Sequence, residues 1–124
     1  MSRVKHIQIS GKEILSIDYS GCKAEEMIEA FNQAREEVLR VNGNCLILTN
    51  LANAFITPIF LRYAEQEMPK VKHLIKKNAF INMSFPQRMI LKGFTLFIGK
   101  KDFVAFNTYE EAIHYLVTDD NTIE

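Results

Sequence analysis

Few side chains in this chain are spaced to do chemistry. Asp18 and Tyr19 stand side by side at the end of a strand-like run, where an acid pair can move a proton. Alternation along the run instead sets the aspartate toward solvent and the tyrosine toward a core. Cys22 lies just before a helix-like stretch, where a helix N-terminus can lower a thiol's pKa; a small residue in a turn is the favoured reading. His6, His73 and His114 are isolated and no C-x-x-C occurs, so no metal-ligand spacing is present. The five glycines form neither a G-x-G-x-x-G nor a Walker arrangement. No serine–histidine or cysteine–histidine constellation can be placed by spacing. The expectation is a protein that is not an enzyme and that holds neither metal nor cofactor.

Two stretches remain as candidate binding features. The first is Asn44 to Leu61, NCLILTNLANAFITPIFL. Cys45 to Thr49 is an uncharged apolar run, the mark of a central parallel strand. Thr57 followed by Pro58 is a helix start: the threonine caps free N–H groups, and proline at the first helical position loses no bond. A loop leaving the C-terminal end of a central strand for a helix N-terminus is where open α/β sheets bind ligands. That singles out Asn50, Asn53 and Thr57 as a ligand or switch loop, although every strand-to-helix unit has a loop of this kind.

The second feature is charge. Lys70, Lys72, Lys76, Lys77, Arg88, Lys92, Lys100 and Lys101 lie between Met68 and Lys101 with no Asp or Glu among them. The chain carries 15 basic and 15 acidic residues, so this +8 leaves −8 on the remainder. Segregated charge of this kind can attract an anionic small molecule or lipid, with Lys70, Lys72, Lys76, Lys77, Arg88 and Lys92 as the basic surface. Phe85, Phe94 and Phe97 interleave with it, as bases or lipids require, yet at helical spacing they also fit a core. Zero net charge gives no global steering toward nucleic acid, and no specific nucleic-acid partner is expected.

The elements that position these residues are legible from periodicity. Val4 to Ser10 reads as a strand, with Val4, His6 and Gln8 on one side and Lys5, Ile7 and Ile9 on the other. Gly11-Lys12 is a turn signal, and Glu13 to Ser20 alternates with Leu15, Ile17 and Tyr19 on one face. Lys23 to Val41 is a helix with Met27, Phe31, Ala34, Val38 and Val41 as its stripe, ended by Asn42-Gly43. Pro58 to Met68 is the second helix, which Pro69 should end or kink, with a further helical turn or two over Lys70 to Lys77. Asn78 to Met83 is a strand. Ser84 to Gln87 is a capping box for a helix reaching Ile98, with Met89, Ile90, Phe94 and Phe97 inward. Gly93 in its interior costs about 1 kcal/mol against alanine and would permit close approach to the sheet. Phe103 to Phe106 is the last strand. Thr108 to Glu111 opens a final helix with Ala112, Ile113 and Leu116 inward, and Thr118 to Glu124 is a tail.

The order ββαβαβαβα with right-handed crossovers predicts one α/β domain over residues 1–124. Its five-stranded sheet is mixed and mostly parallel, with the first strand antiparallel at an edge. At 124 residues the chain buries roughly two-thirds of its unfolded surface. Cys22 and Cys45 belong near opposite ends of the sheet, on the order of 15 Å apart, too far for a disulfide. No run of about 18 apolar residues indicates a membrane span. The first residues, MSRVKHIQIS, lack an apolar signal core, so a cytoplasmic location is expected.

Ile17-Asp18-Tyr19-Ser20-Gly21, Leu48-Thr49-Asn50-Leu51 and Asn107-Thr108-Tyr109-Glu110-Glu111-Ala112, with Tyr115-Leu116-Val117 behind, resemble the STAS-like (SpoIIAA-like) family of small bacterial proteins. The resemblance covers nearly the whole chain. It implies a sequential (βα)n superhelix, shared with lipid-carrying CRAL-TRIO domains. It also implies a non-enzymatic regulatory or interaction domain acting through protein partners. In the anti-sigma-factor antagonists of the wider superfamily, a serine at the start of the helix after the central strand is phosphorylated. Their Asp-Ser-Ser-Gly signature is absent here, and Thr57 is the residue that stands at that helix start, so a phosphorylation switch at Thr57 is one alternative. A small-ligand or lipid-binding module using loop 50–57 and the basic 70–101 segment is the other. Homodimerisation is a separate expectation, because a sequential superhelix leaves one sheet face poorly covered.

Overall fold

Antiparallel pairing of two short strands starts the sheet. In the computed structural model, which describes residues 2–118, β1 (Val4–Ile9) pairs with β2 (Lys12–Asp18). The hairpin turn is Ser10-Gly11, both at positive φ (52° and 76°), and not Gly11-Lys12 as the sequence indicated. A two-residue turn with both φ values positive matches the right-handed twist of its strands, and Lys12 is thereby freed to pair with Ile9.

The chain then alternates helix and strand. α1 (Ala24–Val41) leads to β3 (Cys45–Asn50), α2 (Pro58–Val71), β4 (Ile75–Ile81), α3 (Phe85–Ile98), β5 (Phe103–Ala105) and α4 (Tyr109–Val117). The sheet order is β1-β2-β3-β4-β5, with every pair after the first parallel. The molecule is thus an α/β protein with a five-stranded mixed sheet and four helices, as the element order predicts. The tail expected from Thr118 lies outside the described residues beyond that threonine.

Right-handed crossovers between neighbouring strands put α1, α2 and α3 on one face of the sheet. There Leu15, Ile17, Ile47, Phe80 and Phe103 of the strands bury against Met27, Phe31, Phe60, Ala64, Leu91 and Phe94 of the helices. α4 takes the opposite face, where Ile14, Leu46, Leu48, Ala79 and Ile81 bury against Ala112 and Leu116. This face is therefore not left bare, and the physical premise for a dimer on it falls away.

Five local expectations differ. Pro69 lies within α2, which runs on to Val71. Its missing N–H costs one bond close to the helix end, and a 3-10 turn over Lys72–Leu74 absorbs the change of direction. β4 consequently begins at Ile75, not Asn78. The register against β3 shifts between Cys45 and Leu46, so that Ile75 pairs with Cys45 and Lys77 with Leu46. A bulge breaks the two-residue alternation; it lets Ile75 join the α1–α3 core while Lys77 enters the α4 side.

α3 is turned differently from the predicted stripe. Leu91, Phe94 and Ile98 are its buried residues, while Met89 and Phe97 are exposed. Val41, the last residue of the α1 stripe, is also exposed. Gly93 lies on the exposed side of α3, and a Cβ there would meet nothing within 4 Å, so it serves no approach to the sheet.

Candidate functional site

The C-terminal ends of β2, β3 and β4 carry one residue each of a polar row. Asn50 is its centre. Its Oδ1 accepts the Ala52 N–H (3.1 Å) and the Asn82 Nδ2 amide (3.0 Å), and its own Nδ2 donates to Asp18 Oδ1 (3.4 Å). Asp18 Oδ1 also accepts the Ser20 N–H at 2.9 Å. Gln87 at the start of α3 donates from Nε2 to the carbonyls of Leu51 (3.4 Å) and Ala54 (3.1 Å). The first half of the 50–57 loop is thereby fastened to its neighbours.

The three loop residues singled out from sequence do not converge. Asn50 is tied into the row, Asn53 is exposed with φ at 57°, and Thr57 caps α2 by accepting the Phe60 N–H at 3.1 Å. Asp18 and Tyr19 do not form an acid pair, because the tyrosine is buried among the α1–α3 core while the aspartate remains exposed in the polar row. Cys22 is fully buried, and burial pushes its thiol up, which removes the activated-thiolate reading. Cys45 is pushed up to about 11 for the same reason, and both cysteines are free. Among the described residues no group of three His, Cys, Asp or Glu side chains is placed to hold a metal ion.

The basic segment does not form one surface. Lys77 is buried, with Nζ donating to the Tyr115 (2.7 Å) and Thr118 (2.8 Å) carbonyls and lying over the Tyr115 ring. Lys72 donates to the Ile98 carbonyl (2.5 Å) at the end of α3. Both cap helix C-termini, where cations and free carbonyls attract, and neither belongs to an anion-binding surface. Lys70 pairs with Glu67 at 3.1 Å, and Lys100 with Asp102 at 3.6 Å. Lys76 lines a shallow depression with His6, Glu13 and Asn44. Arg88 donates to the Phe106 carbonyl (3.2 Å) and to Asn107 Oδ1 (2.7 Å). Lys92 stands exposed on α3.

The surface that does stand out was read from sequence only in part, at Phe85 and Phe97. On the outer side of α3, Phe85 is 74 % exposed, Met89 52 %, Leu96 78 % and Phe97 65 %. Phe85, Met89 and Leu96 follow one another by four and seven residues, which is one stripe of a helix. Lys92 and Gly93 lie on the same exposed side, and α3 has no acidic residue. The signal was present as a second apolar stripe opposite the first, but α3 is apolar on most of its circumference. Pattern alone could not tell which stripe the sheet would take.

No protein-family model matches the chain, and no curated protein matches it. Among the described residues no helix is long and apolar enough to cross a membrane.

Proposed function

We propose that this chain is a non-enzymatic, STAS-like regulatory or interaction domain that acts by docking, with the outer face of α3 as its contact surface. The single observation that carries the reading is the exposure of Phe85, Met89, Leu96 and Phe97 on one helix. Large apolar side chains grouped on a surface mark interaction sites, and fully burying each contributes about 1.5–3 kcal/mol. The resemblance of segments 17–21, 48–51 and 107–112 to the STAS-like family supports the same class.

Charge narrows the partner. α3 carries Arg88 and Lys92 and no carboxylate, and Lys100 and Lys101 follow it. A second copy laid α3 on α3 would bring like charges together. The fitting partner is a protein with an apolar centre and an acidic rim. The same basic amphipathic side also suits an anionic lipid surface, which is the second reading.

A photoreactive residue at Leu96 tests both. In the native host it is expected to give one defined protein adduct, absent when the probe stands at Glu29 on α1. Lipid adducts in place of protein would move the reading to a membrane surface. No adduct of either kind beyond the Glu29 background would overturn both.

A further inference from the structure

We infer that the space between the sheet and α1–α3 is a binding site for a compact, neutral, largely apolar molecule with one hydrogen-bond acceptor, which Tyr19 and Asn78 engage. The cavity has a volume of about 100 Å³. Its walls are apolar, with Met27, Phe31, Phe60 and Leu91 among them. It is somewhat smaller than the roughly 150 Å³ engineered apolar cavity that takes benzene. A ring of about five carbons or a short chain fits that space on the same scale.

Two buried polar side chains line it with unused hydrogen-bond donors. Tyr19 is 6 % exposed and Asn78 4 %. The Thr49 hydroxyl donates to Asn78 Oδ1 at 2.8 Å. Among the described residues no hydrogen bond engages Asn78 Nδ2 or the Tyr19 hydroxyl. Among the described residues no sealed polar side-chain atom lacks a partner, so these two groups are not sealed off, and both residues line the cavity.

The chemistry of the guest follows from these groups. An amide nitrogen only donates. Burial holds the Tyr19 phenol protonated, its pKa pushed far above the ordinary value, so it too offers a proton. Both call for an acceptor such as a ketone, aldehyde or ester carbonyl. An anion is excluded by the cost of stripping its water. Arg35, which also lines the space, is already bonded to Tyr63 and Glu67. Water can satisfy the polar end, where Tyr19 and Asn78 supply the two partners it needs at the least, but the apolar remainder of the space offers it none.

The test is a methyl-detected NMR titration with cyclopentanone and with cyclopentane. Both are expected to shift the Met27 and Leu91 methyl signals saturably, with the ketone bound about tenfold more tightly. Tyr19→Phe should cut that advantage to about threefold or less and leave cyclopentane unchanged. Ala64→Leu, which fills the space from α2, should abolish both; if it does not fold, Ala34→Val fills it from α1. No saturable shift, equal affinity for the two probes, or an advantage unchanged in Tyr19→Phe would overturn the assignment. So would shifts that survive the filling variant.

Discussion

Lys77 Nζ lies 2.7 Å from the Tyr115 carbonyl oxygen, so a lysine of β4 closes the C-terminus of α4 from within the molecule. The β-bulge before it makes this reach available, because without the bulge Lys77 would share a face with Ile75. Lys77→Met keeps the apolar stem and removes both carbonyl bonds. The expected loss is about 1–3 kcal/mol, read by urea unfolding, with faster amide exchange concentrated in α4. An unchanged midpoint would show that the cap is dispensable.

His6 joins the β1–β2 hairpin to α1. Its Nδ1 faces Glu13 at 2.6 Å and its Nε2 faces Glu37 at 2.8 Å, so both ring nitrogens donate only when the ring is an imidazolium. The hydrogen bond from His6 is the main cause holding the Glu37 carboxyl below its ordinary 4.5. A depressed folded pKa means stability that is full above about 4.5 and is lost as pH falls through the lower folded value. Wild type should therefore exceed Glu37→Gln in stability near pH 6, and the gap should close toward pH 3. A gap that is constant over that range counts against the clasp.

Gly93→Ala should raise stability by roughly 0.5–1 kcal/mol. The position is helical and exposed, and the added Cβ meets nothing within 4 Å. Thermal unfolding reads the gain. A loss would mean that the outer side of α3 is covered by something in the folded protein.

Thr57→Ala removes the hydroxyl that accepts the Phe60 N–H and should cost about 1 kcal/mol. Thr57→Ser should restore most of it. Equal stability of all three forms would show that Pro58 and the preceding loop hold the start of α2 unaided.

Both thiols are buried and raised, Cys45 to about 11. A thiol reagent at pH 8 should find no fast-reacting group in the native protein and two on unfolding. A native burst of one equivalent would place Cys22 or Cys45 in a more open setting than the structure shows.

Much of the fold was legible in the residues themselves. Alternation separated Leu15, Ile17 and Tyr19 from Ser16 and Asp18, and the caps at Thr57, Ser84 and Thr108 are all in use. These signals are local: a strand's two faces and a helix's first turn depend on residues within four positions. The sequential, mostly parallel sheet followed from them through the handedness of crossovers.

What the chain alone left undecided depends on contacts far apart in sequence. α3 is apolar nearly all round, and only docking into the core shared with α1 and α2 chose Leu91, Phe94 and Ile98 as its buried side. Charge counting grouped eight basic residues that the fold then sent to different places, because a bulge and two helix ends claimed Lys77 and Lys72. From sequence Tyr19 reads as a core residue beside a solvent-facing aspartate, and Asn78 only as the start of a strand. Their unused donors meet one cavity only because α1, α2 and α3 all lie on the same side of the sheet.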